Sequence, residues 1–232
     1  MEQNLDIEAL AKKLGIPYKE DGLLRQALVH RSYLNENNDF PHDHNERLEF
    51  LGDAVLELVV TEHLYRTYQN PEGELTNWRA AVVNGQNLAD IGKAIEIEEF
   101  LYLSKGEKAD TDSKARRYIL ANAIEAIIGS LYLDFGWDAA KDFIHKHVLS
   151  TLAGILEKKL YIDPKSRFQE EAQARTATTP SYKVLEETGP DHKKTFRIGA
   201  YLGKELVAEG TGTSKQEAQI NAAENGLAAR GW

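Results

Sequence analysis

The sequence contains no cysteine among its 232 residues, which excludes disulfide bonds and thiolate metal sites. It also lacks any apolar run near the roughly 20 residues that a membrane-spanning helix requires. The first residues, MEQNLDIEALAKKLG, have neither the basic start nor the apolar centre of a secretory signal peptide. Together these absences predict a cytoplasmic protein with no membrane segment.

An excess of positive charge, the usual mark of a nucleic-acid-binding protein, is missing as well. The chain has 28 Lys and Arg against 37 Asp and Glu, a formal net charge of −9. Residues 163–232 contain ten charges of each sign, so the whole acidic excess lies in residues 1–162. This uneven distribution predicts two units with different roles.

The spacing of apolar residues predicts an all-α domain over residues 1–160 and a small α+β domain over residues 163–232. In the first domain, apolar residues recur at helical spacing through stretches such as LTNWRAAVVNGQNLADIGKAI and WDAAKDFIHKHVLSTLAGILEKKL. In the second, a helix opening near Pro164 precedes three short strands and a closing helix, the order α-β-β-β-α. Ser214 and Glu217 form the S-x-x-E pattern of a capping box at the start of the closing helix.

The stretch HNERLEFLGDAVLEL, residues 44–58, concentrates carboxylates on one predicted helix. At 100° per residue, the acidic positions fall within about 80° of one another: Glu46, Glu49, Asp53 and Glu57. The apolar positions occupy the far side: Leu48, Leu51, Val55 and Leu58. One interpretation is an amphipathic helix with a solvated acidic face. The other is a site for a hard cation such as Mg²⁺ or Mn²⁺, because no Lys or Arg on this helix shares the acidic face.

The same residues carry a family resemblance. HNERLEFLGDAVL is similar to the signature of the bacterial ribonuclease III family, dimeric endonucleases that cut double-stranded RNA. LLRQALVHRSYLNE precedes it, and LTNWRAAVVNGQNLA and ILANAIEAIIGSLYLD follow it, in the order found in the family. The last 70 residues or so resemble the double-stranded-RNA-binding domain that follows the nuclease domain in that family, so the resemblance covers nearly the whole chain.

The resemblance implies a catalytic set of Glu46, Glu49, Asp53, Glu72, Asn122 and Glu125. Four of these would hold the catalytic Mg²⁺, for which Mn²⁺ is a possible substitute: Glu49, Asp53, Asn122 and Glu125. Asn122 departs from the family, which usually has Asp there; an amide oxygen can still bind a hard cation but carries no charge. Glu57 matches no motif position and is left as a solvated residue.

The chemistry implied is hydrolysis by metal-activated water, which gives a 5′-phosphate and a 3′-hydroxyl on each strand. This chemistry needs no side-chain nucleophile, so His42, His44 and His63 are not predicted to act as bases. Two subunits would each cut one strand and leave a short 3′ overhang. Phe50 corresponds to a family residue that packs across the dimer interface, which predicts a homodimer.

The resemblance also identifies candidate RNA contacts in the C-terminal domain, since duplex RNA is bound through its 2′-hydroxyls and phosphates. The predicted contacts are Ser166, Gln169, Glu170 and Gln173 on the first helix, His192 in the loop GPDHKK, and Thr213, Ser214 and Lys215 at the start of the last helix. Gln216 replaces a Lys that is common in the family, which predicts modest RNA affinity. Arg116 and Arg117 are either further contacts to the RNA backbone or solvated surface residues.

The leading prediction is therefore a Mg²⁺-dependent endoribonuclease that processes ribosomal or other structured RNA, with no small-molecule cofactor. The main alternative is a non-cleaving double-stranded-RNA-binding or assembly protein with a metal site weakened by Asn122. A metal-dependent hydrolase of small phosphate esters would fit the carboxylates but would leave the C-terminal domain without a purpose.

Overall fold

The computed structural model describes residues 5–110, 113–190 and 194–232. Packing divides the chain into two compact units, Met1–Tyr161 and Ile162–Trp232. The first unit is helical and the second is α+β, which confirms the predicted fold class.

The first unit is built from ten α-helices among the described residues: α1 (Ile7–Leu14), α2 (Leu24–Ala27), α3 (Arg31–Leu34), α4 (Glu46–Thr67), α5 (Glu72–Val83), α6 (Gly85–Ala94), α7 (Lys105–Ala109), α8 (Lys114–Phe135), α9 (Trp137–Phe143) and α10 (Leu152–Glu157). Two 3₁₀ turns, Ile97–Phe100 and Leu149–Thr151, and a π-helical turn, Ile144–Val148, complete it.

Two segments through which helical apolar spacing continues are interrupted in the structure. The first breaks at Asn84, which has extended backbone and accepts a hydrogen bond from the Asn87 N–H at 2.9 Å. Asn84 therefore ends α5 and caps α6. The second passes from α9 through the π-helical turn and a 3₁₀ turn into α10, so its residues do not keep a single helical register.

The two long helices, α4 and α8, form the centre of the first unit. The stretch from Ile119 to Leu131 of α8 is buried at almost every position, apart from Asn122 and Glu125. By length and composition alone α8 could cross a membrane, but most of its apolar stretch is buried within the protein. A polar pair in such surroundings requires partners, because unpaired polar groups are costly to bury.

The second unit consists of α11 (Pro164–Thr176), β1 (Pro180–Thr188), β2 (Thr195–Leu202), β3 (Glu205–Gly212) and α12 (Lys215–Arg230). The strands form one antiparallel sheet in the order β1-β2-β3, and the two helices pack together around a small core that includes Phe168 and Ala222. Pro164 opens α11 as predicted, and the Asp163 carboxylate caps it by accepting hydrogen bonds from two backbone N–H groups at 3.1 Å.

Candidate functional site

The predicted acidic face of α4 is present in the structure. Glu49 is half-buried, whereas Glu46 and Asp53 are exposed. Leu58, although it is on the side of α4 away from the carboxylates, is 57% exposed. The covered stripe of α4 instead contains Val55, Leu56 and Val59, and Leu58 lies outside it.

Two glycines bring α4 and α8 into backbone contact beside these carboxylates. A Cβ built on Gly52 would lie 1.7 Å from the carbonyl oxygen of Glu125, and one on Gly129 would lie 2.3 Å from the carbonyl oxygen of Leu48. Only glycine fits at either position, since neither helix backbone can move aside without disturbing the core. A mid-helix glycine is unfavourable by about 1 kcal/mol relative to alanine, and here the close crossing explains its presence.

The crossing places Glu125 against the carboxylates of α4. Burial, together with the charges of Asp53 and Glu49, raises the pKa of Glu125 to about 8. In the metal-free protein the Glu125 carboxyl therefore holds a proton at neutral pH. Such a pKa is typical of a functional carboxylate cluster that a cation would stabilise.

Glu49 shows the same effect from the other helix. Burial raises the pKa of Glu49, and the charges of Glu46 and Asp53 add to the rise. The Asn122 amide opposes it by hydrogen-bonding to the Glu49 carboxyl. The structure thus brings together the four predicted ligand positions, two on α4 and two on α8.

These four side chains offer only oxygen donors for a cation, from three carboxylates and one amide, the set that Mg²⁺ or Mn²⁺ prefers. Within the described part of the chain, no three His, Asp or Glu side chains already converge closely enough to enclose an ion. The four side chains are therefore close but do not yet enclose an ion, and a bound cation would reduce the repulsion between their carboxylates.

Glu46 lies at the rim of this cluster, with the cationic Arg31 and the imidazole of His44 beside it from outside α4. Its carboxylate is 3.5 Å from the Arg31 guanidinium and 3.8 Å from Nδ1 of His44. Glu57 is likewise paired, at 2.9 Å from Nε of Arg79 on α5. The acidic face is thus supplied with cations by neighbouring segments, which the sequence of α4 alone did not reveal. This ion pair with Arg79 explains the presence of Glu57 without a role in the metal site.

Glu72 does not join the cluster in the structure. It is exposed in the first turn of α5 and lines a groove of about 760 Å³ between α4 and α5, together with Tyr65 and Arg79. Among the described residues, the charges that raise the pKa of Glu49 come from Glu46 and Asp53, and those that raise the pKa of Glu125 come from Asp53 and Glu49.

Phe50 is the most exposed large apolar side chain in the described part of the chain, at 82%. Beside it lies a depression of about 660 Å³, lined by residues that include Leu23, Leu51 and Leu133. An exposed aromatic ring next to an apolar hollow is typical of a protein–protein interface.

The predicted RNA contacts of the second unit lie on its surface. Ser166, Gln169, Glu170 and Gln173 are exposed on α11, as are Thr213, Ser214 and Lys215 at the start of α12. His192 lies outside the described residues.

Ser214 caps α12 by accepting a hydrogen bond from the Glu217 N–H at 3.1 Å, as the capping-box pattern predicted. The Glu217 carboxylate bonds to the N–H and the hydroxyl of Thr213, at 2.8 and 2.6 Å. The Lys215 ammonium lies 5.6 Å from the centre of the Phe196 ring.

Arg116 is excluded as a surface contact by its burial. It is 4% exposed, and its Nε donates to the Glu98 carboxylate at 2.6 Å. Arg117, one residue further along α8, is exposed.

Comparison with known families agrees with both units. The family model described as "Ribonuclease-III-like" matches residues 20–152, and the model "Double-stranded RNA binding motif" matches residues 164–229. The boundary between the matches lies beside the division between the two compact units.

Curated relatives match the chain along nearly its whole length. Ribonuclease 3 of Oceanobacillus iheyensis is 42% identical over 225 residues, covering 96% of this chain and 97% of its own length. Ribonuclease 3 of Natranaerobius thermophilus is 44% identical over 219 residues, covering 94% of each. Among solved structures, the ribonuclease III nuclease domain of Campylobacter jejuni aligns with a TM-score of 0.54 at 36% identity, over 62% of this chain and 97% of that one.

Proposed function

The chain belongs to the ribonuclease III family, and from this premise we propose how its two units divide the cleavage of RNA. It is a double-stranded-RNA-specific endoribonuclease, a hydrolase of phosphodiester bonds. The C-terminal unit binds double-stranded RNA. The proposals concern the residues that carry each step, the ion and the assembly.

We assign the hydrolytic site to the crossing of α4 and α8. The carrying observation is the Glu125 carboxyl, whose pKa of about 8 results from burial beside Asp53 and Glu49. Members of the family generally depend on a metal ion, and the oxygen-only donor set favours Mg²⁺, with Mn²⁺ as a substitute. The ligands would be Glu49, Asp53, Asn122 and Glu125. When bound, Mg²⁺ lowers the pKa of a water molecule and offsets charge on the leaving 3′-oxygen.

Residues of the protein itself orient the candidate ligands before RNA binds. Glu125 holds a proton that it must release for its carboxylate to serve as a ligand. The Asn122 amide orients the Glu49 carboxyl through the hydrogen bond between them. Glu46 supports the cluster from its rim, where Arg31 fixes its position. Glu72, in its separate groove, would contact RNA near the cleavage site.

Two subunits would complete the reaction, each cutting one strand to leave a 5′-phosphate, a 3′-hydroxyl and a short 3′ overhang. The exposed Phe50 ring and the hollow beside it support a homodimer. The substrates would be ribosomal and other structured RNAs in the cytoplasm. The α11 side chains and the start of α12 would contact the duplex.

The alternative of a non-cleaving RNA-binding protein depended on Asn122 alone. In the structure this amide stands among the carboxylates and bonds to Glu49, where its oxygen can serve as a neutral ligand. We therefore expect a lower Mg²⁺ affinity rather than loss of activity.

The test is cleavage of a long RNA duplex by the full-length chain over a series of Mg²⁺ concentrations, beside Asn122→Asp and Glu125→Gln. We expect cleavage only with the ion, a lower Mg²⁺ requirement for Asn122→Asp, and RNA binding without cleavage for Glu125→Gln. The loss in Glu125→Gln should exceed the roughly 100-fold caused by losing an outer-shell partner. Binding without cleavage at every Mg²⁺ concentration, with activity only in Asn122→Asp, would overturn the proposal.

A further inference from the structure

Tyr182, on β1 of the second unit, has a buried hydroxyl group with no hydrogen-bond partner among the described residues. Burial, together with the charge of the nearby Asp163 carboxylate, raises the pKa of this phenol to about 12. The phenol therefore stays neutral and keeps its proton to donate. Buried polar groups without partners are rare in folded proteins and often mark the place of a missing water, ion or ligand.

A polar cavity of about 280 Å³ adjoins this side chain. It lies between the start of α11, the start of β1 and the start of α12, and its polar lining comes from Asp163, Lys165, Ser166, Gln169, Tyr182 and Gln216. A water molecule occupies about 30 Å³ in the liquid, so the cavity has room for a sugar-sized group.

Lys165 stands over the Tyr182 ring in the RNA-free protein. Its ammonium is 5.2 Å from the ring centre and donates a hydrogen bond of 2.7 Å to the amide oxygen of Gln219 on α12. A phosphate oxygen is a stronger partner for an ammonium group than a neutral amide, because both groups are then charged. A duplex docking on this face would therefore draw Lys165 away from Gln219 and uncover the ring.

The cavity is part of the face already assigned to RNA. Ser166 and Gln169, two of the proposed RNA contacts on α11, line it, and Gln216 follows the proposed contact Lys215. The shallow minor groove of an RNA duplex presents rows of 2′-hydroxyls, which both donate and accept hydrogen bonds. They would give the Tyr182 hydroxyl the partner that it lacks within the protein.

We propose that the Tyr182 hydroxyl binds a ribose 2′-hydroxyl of the RNA duplex, and that Lys165 opens the way by moving from Gln219 to a backbone phosphate. The proposal rests on the proposed RNA-binding role of α11. It makes Tyr182 a residue that distinguishes RNA from a duplex lacking 2′-hydroxyls, and Lys165 a phosphate contact.

The experiment measures binding by the full-length chain without divalent ions, so that no cleavage occurs. The probes are an RNA duplex of about 16 base pairs, the length that one such domain spans, and the same duplex with 2′-fluoro sugars in both strands. The variants are Tyr182→Phe and, as the matched control, Tyr201→Phe. Tyr201 lies in the same sheet but outside the cavity, with Lys183 over its ring at 4.9 Å.

We expect Tyr182→Phe to weaken binding of the RNA duplex about fivefold, the effect of one hydrogen bond. Binding of the 2′-fluoro duplex should not change, and Tyr201→Phe should affect neither probe. The midpoint of thermal unfolding should not fall in Tyr182→Phe, because the hydroxyl has no partner to lose. Lys165→Met, which keeps the apolar stem, should flatten the dependence of log K on log salt by roughly 0.7 to 0.9.

Equal weakening toward both probes would show that the phenol only supports the fold, and would overturn the proposal. Strong wild-type RNA binding that Tyr182→Phe leaves unchanged would also overturn it, since the hydroxyl would then bond only to water. An unchanged salt slope in Lys165→Met would remove the role of Lys165. If the wild-type chain binds neither probe, the proposed RNA-binding role fails and this inference fails with it.

Discussion

Gly52 of α4 lies directly against the backbone of Glu125 on α8, so closely that a Cβ at position 52 would stand 1.7 Å from the Glu125 carbonyl oxygen. Gly52, which allows the two helices to cross, therefore lies between Glu49 and Asp53 in sequence. It contacts Glu125, which carries the third carboxylate of the cluster. The positions of the carboxylates therefore depend on the packing of the helices, because any side chain at position 52 would move α4 and α8 apart and would separate their carboxylates.

Gly52→Ala should accordingly lower both stability and activity. Forcing a methyl group into this contact must displace one helix, and overpacking of this kind costs about 1–3 kcal/mol or more. The matched control is Gly154→Ala in α10, where a Cβ would meet nothing within 4 Å. Chemical denaturation should show a lower unfolding free energy for Gly52→Ala and none of this loss for the control. If Gly52→Ala is as stable as wild type, α4 and α8 are not in backbone contact at Gly52.

Glu125 should make the metal-free protein less stable as the pH rises. The pKa of this carboxyl is about 8 when folded, against an ordinary value of 4.5. Between these values the folded protein binds a proton that the unfolded chain has released, so the unfolding free energy falls with increasing pH across this window. The loss is on the order of 3 kcal/mol, less than the full change in pKa implies because the carboxyl is partly exposed.

Glu125→Gln removes this effect, since an amide does not titrate. In a chelating buffer the variant should be more stable than wild type at pH 8, and the advantage should shrink as the pH falls toward 4.5. Thermal unfolding at several pH values measures the difference. If the difference in stability between the variant and wild type is the same at both ends of the pH range, the raised pKa of Glu125 is contradicted.

The sequence indicated which residues are the candidate ligands, but not the packing that brings them together. Periodicity placed Glu49 and Asp53 on one helix face, and a motif supplied Asn122 and Glu125, because side-chain spacing along a single helix is a local property. The contact between Gly52 and Gly129 depends on how two distant helices cross, which spacing does not determine. The same holds for Arg79, which neutralises Glu57 from α5 and which no pattern within α4 could reveal.

Helix boundaries could be predicted where a local sequence signal marks them. Pro164 and Ser214 were read correctly as helix starts because each acts locally: the fixed φ of Pro164 suits the first position of a helix, and the Ser214 hydroxyl caps α12. The break at Asn84 is not marked by apolar spacing, which continues through it, and only the side-chain cap to Asn87 shows it. Tyr182 gave no signal in the sequence, because its lack of a partner is a property of the folded second unit.

Phe50 should control association of the subunits. Its ring is 82% exposed, so its replacement should leave the fold of a single subunit intact. Phe50→Ala should weaken the dimer by about tenfold or more, as loss of a buried aromatic anchor does at other interfaces. Tyr65→Ala is the control, because Tyr65 is 77% exposed on the same helix but lines the groove between α4 and α5. Sedimentation equilibrium measures both; equal dissociation constants would exclude the Phe50 interface.

Gln216→Lys should strengthen RNA binding through one additional phosphate contact. Gln216 is exposed in the first turn of α12, next to Lys215, and an ammonium group there would add positive charge where phosphate is expected. Each added contact steepens the dependence of log K on log salt by about 0.9 on duplex DNA, and by a similar amount on duplex RNA. The control is Glu224→Gln, which also raises the net charge by one, on the exposed surface of the same helix two turns further along. If both variants steepen the salt dependence equally, the gain comes from overall charge and Gln216 does not mark a phosphate contact.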